Sequence, residues 1–190
     1  MQHWCSRVSK VTILSFALLA VHCTAAHASV SEQLKFDYYR VEVSAGESWQ
    51  DKVIPASPVN PYAGYTTPDV KWEIDTTAQP DGRCTITNVR VELGLTVLLP
   101  RIETTDAEAS AQASRYYEAL KEHEMGHVEI WRKAAAAIDS QLATIPPSAD
   151  CNKLYIYAGE YSDHYQLMAS EQDRAHDNAD EYSRVQNSWK

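Results

Sequence analysis

The stretch His123-Glu124-Met125-Gly126-His127 lies in a long segment without proline. Residues four apart share one face of a helix, so both imidazoles can be directed at a common centre. Imidazole nitrogens bind zinc readily, and a glutamate beside the first histidine can act on a water molecule there. This is the H-E-x-x-H spacing of metalloprotease helices. It predicts that His123 and His127 are zinc ligands and that Glu124 is a catalytic base.

The surrounding segment predicts one long helix. Thr105-Asp106-Ala107-Glu108 has the composition of a capping box, and Pro146-Pro147 places the end of the helix near Thr144. One stripe at helical spacing includes both histidines: Tyr116, Ala119, Leu120, His123, His127, Ile130, Ala134 and Ile138. Both histidines therefore face the core, as a buried metal site requires. Two structural core histidines would occupy the same positions, but neighbouring neutral imidazoles still need polar partners. We favour the ligand interpretation.

A catalytic zinc site takes a third protein ligand, which must come from another part of the chain. A second helix is predicted from Cys151 onward, because one stripe of mostly apolar residues again repeats at intervals of three and four: Leu154, Tyr157, Ala158, Tyr161, Tyr165, Met168, Gln172, Ala175 and Ala179. If this helix continues to its acidic end, His176 lies at the edge of the apolar stripe and is the expected third ligand. Asp177, which turns away from that stripe, and Tyr182 are the alternatives. His164, earlier on the same helix and less well aligned, is a weaker candidate. A solvated helix end without any ligand is the other interpretation.

Three segments before the long helix predict β-strands, because apolar, aromatic and β-branched residues alternate in residues 36–43, 70–74 and 84–97. The alternation slips once near Asn88, which predicts a bulge, and Pro100 is expected to end the third strand. The connections are too short for helical crossovers, so we expect antiparallel pairing. The predicted fold class is α+β: a small antiparallel sheet packed against two long α-helices, one of them a zincin-like H-E-x-x-H helix.

Residues 1–28 are expected to be a secretory signal peptide. Arg7 and Lys10 precede the apolar run 11–21, and Ala26-His27-Ala28 fits the small-x-small rule for cleavage after Ala28. The apolar run is too short to span a bilayer comfortably. Residues 29–190 then form a single predicted domain, exported to the periplasm or secreted from a bacterial cell.

The charge and the cysteine content fit an exported protein. The formal net charge of the 190-residue chain is −9, and the signal segment contributes only basic residues to it. Such an acidic balance argues against nucleic acid or an anionic membrane as a partner. Beyond the signal segment the cysteines are Cys84 and Cys151, and in an oxidising compartment they are expected to form one disulfide.

Taken in order along the chain, these features resemble a known family. A strand containing Trp72, a cysteine-led strand ending in Leu99-Pro100, the His-Glu-x-Gly-His helix and a later cysteine-led helix occur together over residues 36–185. This order resembles the bacterial domain of unknown function 922 (DUF922), described as predicted secreted zinc-dependent proteases. The family pattern also ends in a Tyr-Asp-x-x-Thr-x-His-Gly-like segment. Asp177 matches its aspartate, whereas Tyr182 stands where its histidine is expected.

The motif and the resemblance together imply a secreted zinc-dependent metallopeptidase that hydrolyses a peptide or protein substrate in the cell envelope. A zinc-activated water would attack the peptide bond, with Glu124 as general base. The alternative is a non-catalytic envelope protein that uses the same helix as a structural metal site or as a partner-binding face. The weakly defined third ligand is the feature that favours this alternative.

Overall fold

A computed structural model describes residues 29–179. The predicted signal peptide, residues 1–28, and the candidate ligand Tyr182 lie outside the described residues. The described elements are β1 (Ser29–Val43), α1 (Gln50–Ala56), β2 (Tyr65–Ala78), β3 (Cys84–Thr104), α2 (Ala107–Ala143) and α3 (Cys151–Asn178). The α+β class and the two long helices are confirmed. Among these elements, no helix combines the length and the apolar character needed to cross a membrane.

The three strands form a mixed sheet in the order β1-β3-β2, which corrects the prediction of a wholly antiparallel sheet. β2 and β3 form an antiparallel hairpin, as expected. β1 is parallel to β3, from the pair Ser29 and Arg90 to the pair Val43 and Thr104. The prediction considered only consecutive strands. Because β3 lies between its two predecessors, the connection from β1 to β3 contains α1 and all of β2, and that is ample length for a parallel crossover.

Two local predictions for β3 have different outcomes. The bulge near Asn88 is confirmed, because the register with β2 shifts where Asp75 and Thr76 face Asn88 and Ile86. The prediction that Pro100 ends the strand is wrong, since β3 continues to Thr104. β2 pairs with β3 only as far as Leu98, so Pro100 stands where one side of β3 has no strand partner. A missing N–H is tolerated at such an edge position.

The core lies between the sheet and α2. Alternate residues of β3 are buried along most of its length: Val89, Val91, Leu93, Leu95, Val97 and Leu99. The facing stripe of α2 contributes Leu120, Val128, Ala135, Ile138 and Leu142. α3 packs chiefly on α2, with fewer contacts to the sheet. The helix that carries the H-E-x-x-H motif is therefore held between the sheet and α3.

A disulfide between Cys84 and Cys151 joins the start of β3 to the start of α3, as predicted. Backbone hydrogen bonds between Cys84 and Ser148 hold the loop between α2 and α3 against the start of β3. The sequence separation of 67 residues makes such a link worth about 4 kcal/mol on the chain-entropy view of disulfides. α3 is thus anchored to β3 at one end, and its other end reaches the H-E-x-x-H motif.

Candidate metal centre

Three histidines converge where the end of α3 meets the middle of α2. One possible ligand atom from each of His123, His127 and His176 lies within 4.8 Å of the others. The rings of His123 and His176 are stacked, with centroids 4.6 Å apart, and His127 meets both edge-on. The predicted grouping of these residues is therefore confirmed, and the cluster is close enough to hold a metal ion.

Asp177 also reaches the cluster, although the helical stripe predicted that it turns away. Its Oδ1 lies 3.0 Å from His127 Nε2 and 3.3 Å from His123 Nε2. The two Nε2 atoms are 3.2 Å from each other. These three atoms form a nearly equilateral triangle, so a single ion can contact all three.

The triangle fits the dimensions of a zinc ion. Zinc in proteins binds nitrogen and oxygen ligands at about 2.0–2.1 Å with tetrahedral angles, so adjacent ligand atoms are about 3.3 Å apart. The triangle of His123, His127 and Asp177 has sides of this length. The ligand atoms of the three histidines lie within 4.8 Å of one another, so that group is more open than the triangle. The donor set of imidazole and carboxylate suits zinc.

Asp173, one turn before Asp177 on α3, orients the imidazole of His127. His127 Nδ1 donates to Asp173 Oδ1 at 2.7 Å, and Trp131 Nε1 donates to the same oxygen at 3.2 Å. Burial opposes the charged imidazole, but this hydrogen bond and the nearby carboxylates outweigh it and raise the pKa of His127. A carboxylate behind a histidine fixes the tautomer and directs the other ring nitrogen at a metal. Here that nitrogen is Nε2, the atom of the triangle.

His123 has the opposite electrostatic environment. Burial, together with the neighbouring His127 and His176, lowers the pKa of His123 to about 4. Its imidazole is therefore neutral near pH 7. A neutral imidazole is the form that can donate a lone pair to a metal.

Gly126 gives His176 its place beside α2. A Cβ atom at Gly126 would lie 2.3 Å from His176 Nε2, so any larger residue would displace this ring. The same nitrogen donates to the backbone carbonyl of His123 at 3.0 Å. In this arrangement Nε2 carries a hydrogen and is not a free ligand atom. The glycine inside the motif therefore allows the end of α3 to approach the middle of α2 closely.

Gly126→Ala is expected to leave the fold intact but to lower zinc affinity by about 10–100-fold, the range for partners that orient ligands. Alanine favours the helix by roughly 1 kcal/mol, and the clash falls on a side-chain tip that can swing aside. The displaced His176 ring no longer supports His123. Chelator-competition titration measures the affinity, and urea unfolding measures the stability.

Gly159→Ala on α3 is the matched control, because its Cβ would meet the Trp72 ring at an ordinary 3.8 Å. It should leave zinc affinity unchanged. Equal zinc affinity in Gly126→Ala and wild type would contradict the role given to this glycine.

Glu124 lies deeper than either histidine of the motif, with an exposed fraction of only 2%. Thr66 Oγ1 donates to its Oε2 at 2.8 Å. Gly64 makes room for the carboxyl group, since a Cβ there would lie 2.6 Å from Glu124 Oε1. Burial raises the pKa of Glu124 to about 7, although the Thr66 hydroxyl opposes the shift. Such a carboxyl group can both accept and return a proton near neutral pH.

A small pocket connects these groups to the surface. It is lined by the strand and loop residues Tyr62, Gly64, Tyr65 and Thr66 and by the helix residues Glu124, His127, Asp173 and Asp177. A larger groove of about 350 Å³ lies beside Tyr38, Arg101 and Tyr117 and contains none of the candidate ligands. Glu124 and the candidate ligands His127 and Asp177 therefore belong to the smaller pocket.

The sequence patterns indicated the three histidines and Glu124 but gave no role to Asp173 or Thr66. Asp173 precedes Asp177 by four residues, so the two share one face of α3, and this spacing could have revealed it. Thr66 lies 58 residues before Glu124 in a strand, and no local pattern connects them. His164, a weaker candidate ligand, instead lies against Tyr165.

The geometry defines a candidate metal centre of H-E-x-x-H type in an α+β domain. The chain belongs to the family described as "Bacterial protein of unknown function (DUF922)", whose profile matches residues 36–183. The resemblance predicted from the order of motifs is thereby confirmed. No curated protein and no solved structure matches the chain.

Proposed function

We propose that this chain is a secreted zinc-dependent metallopeptidase that acts on peptide or protein substrates in the cell envelope. One observation carries the proposal: the buried carboxyl group of Glu124 lies in the same pocket as His127 and Asp177. A structural metal site has no need of a buried acid beside it, because such an acid costs stability unless it is used. The disulfide supports export, since disulfides persist in oxidising compartments.

The roles of the residues follow from their positions. Zinc, when bound, supplies a Lewis acid that polarises a substrate carbonyl and acidifies a water molecule. Glu124 accepts the proton of the attacking water at its carboxylate and passes it to the leaving amine nitrogen. Thr66 holds that carboxylate in place, and Asp173 holds the ring of His127.

We propose Asp177 as the third ligand, in place of His176, the residue that the sequence favoured. The support is the triangle of Asp177 Oδ1 with the two Nε2 atoms, whose sides of 3.0–3.3 Å are shorter than the 4.8 Å within which the ligand atoms of the three histidines lie. His176 then acts as a support that stacks on His123.

Asp177→Ala should therefore lower zinc affinity by more than 100-fold, and His176→Ala by about 10–100-fold, the range for a partner outside the metal's own shell. Chelator-competition titration of both purified variants measures the difference. The reverse order of effects would make His176 the ligand and would contradict the assignment of Asp177.

A second candidate function is supported by the same two residues. If Asp177 and His176 both bound zinc along with His123 and His127, four protein ligands would close the site, as in structural zinc centres. The protein would then be a non-catalytic envelope protein with a structural metal or a partner-binding face.

Hydrolysis of a mixed library of internally quenched peptides tests the proposed function. Zinc-loaded wild-type protein should cleave members of the library. Dialysis against a chelator should abolish cleavage, and added zinc should restore it. Stoichiometric zinc without cleavage of any peptide would contradict the peptidase proposal and favour the closed structural site.

A further inference from the structure

Two tyrosines that line the small pocket beside the candidate metal ligands remain partly exposed to solvent. Tyr62 and Tyr65 are 41% and 44% exposed, and their ring centroids are 5.9 Å apart at an interplanar angle of 44°. Both residues line the pocket that contains Glu124 and His127. Exposed aromatic rings beside a polar cavity offer apolar surface that nothing in the described fold covers.

The loop that carries Tyr62, residues 57–64, is held by hydrogen bonds on both sides of that residue. Ser57 Oγ donates to the carbonyl oxygen of Tyr62 at 2.5 Å, and the backbone N–H of Tyr62 donates to Val59 at 3.1 Å. The Tyr39 hydroxyl donates to the carbonyl of Ala63, which is itself fully buried. The backbone at Tyr62 therefore needs little further ordering when a ligand binds.

Tyr65 is fixed by a different element. It is the first residue of β2 and pairs with Leu98 of β3. Its neighbour Thr66 donates to the carboxylate of Glu124. The position of Tyr65 relative to Glu124 is thus set by the sheet. A preorganised apolar surface beside a few polar groups is the usual composition of a specificity site.

We propose that Tyr62 and Tyr65 form a subsite for an aromatic or large aliphatic side chain of the substrate, adjacent to the amide that is cleaved. This inference rests on the proposed function and adds a substrate class to it. The rings contact the substrate side chain by aromatic packing and by burial of apolar surface. The amide that is cleaved lies beside Glu124 and the metal ligands.

Two hydroxamic acids test the subsite by binding, independently of turnover. Acetohydroxamic acid carries a methyl group, and 3-phenylpropionohydroxamic acid carries a phenyl ring on the same metal-binding head. Isothermal titration of zinc-loaded wild type should show about tenfold tighter binding of the phenyl compound. The preference should disappear in Tyr62→Ala/Tyr65→Ala and persist in Tyr62→Phe/Tyr65→Phe, because phenylalanine keeps the ring. Zinc content, measured in every sample, should be the same in all variants.

Tyr157→Ala provides the matched control, because Tyr157 is 43% exposed on α3 and does not line the pocket. It should keep the preference. Equal affinity of wild type for the two probes, or a preference that survives removal of both rings, would overturn the subsite while leaving the peptidase proposal intact. Failure of both probes to bind zinc-loaded protein would overturn the open metal site, and with it both proposals.

Discussion

Glu124→Gln is expected to lower the rate of peptide hydrolysis by roughly 10³–10⁴-fold, toward the upper range for loss of a general base. The replacement keeps the shape of the side chain but removes its capacity to take a proton. Thr66 can still donate to the amide oxygen of the glutamine, so the buried position stays hydrogen-bonded. Zinc content should remain that of the wild type, because Glu124 is not a ligand in the proposed site.

The measurement combines turnover of quenched peptides with metal analysis of the same samples. Glu122→Gln is the matched control, since Glu122 is exposed two residues away on the same helix and lines no part of the pocket. It should retain the full rate. Undiminished hydrolysis by Glu124→Gln would rule out the assigned base, and loss of zinc in that variant would show that Glu124 has a structural role instead.

His127→Ala is expected to lower zinc affinity by more than about 100-fold, beyond the range for supporting residues. The variant loses one of the triangle's ligand atoms and also leaves Asp173 without its imidazole partner. A ligand present at 100 times its dissociation constant stabilises a folded protein by about 2.7 kcal/mol. The wild type should therefore melt at a higher temperature with zinc than without it, and the variant should show no such increase.

Calorimetric unfolding of both proteins, with and without zinc, measures this difference. His164→Ala serves as the control, because His164 is on α3 but lies against Tyr165 outside the cluster. It should respond to zinc as the wild type does. A zinc-dependent increase of equal size in His127→Ala would mean that the ion binds elsewhere on the protein.

The sequence was most informative about α2. The motif, the first-turn acid, the following prolines and the helical spacing all describe one element, and the structure differs mainly in making Asp106, rather than Thr105, the cap residue. Local patterns suffice here because a helix is formed by contacts between residues three and four apart. His123 and His127 could be placed together for the same reason.

The buried face of α3 was harder to predict, because the predicted apolar stripe included its tyrosines. Tyr157 and Tyr161 fit an apolar repeat but are exposed. The buried face instead follows small residues and one leucine: Leu154, Ala158, Ser162 and Ala169. Continuing this face by steps of four leads to Asp173 and then Asp177, the residues that contact His127. The expectation that Asp177 turns away was wrong because the stripe was assigned to the larger side chains.

Local sequence patterns could not predict contacts between segments that lie far apart in the sequence. The parallel pairing of β1 with β3 depends on β3 entering between two earlier strands. The hydrogen bond from Thr66 to Glu124 depends on where β2 crosses α2. Neither is encoded in spacing along the chain, since both result from how the finished sheet packs against the helix.

The central claim is that His123, His127 and a residue of α3 hold a zinc ion beside Glu124. Equilibrium dialysis of the purified wild-type chain against buffered zinc, followed by metal analysis, tests this claim most directly when run beside His123→Ala. We expect one zinc per wild-type chain and almost none in the variant. A wild-type chain that binds no zinc, or a variant that binds as much as the wild type, would contradict it.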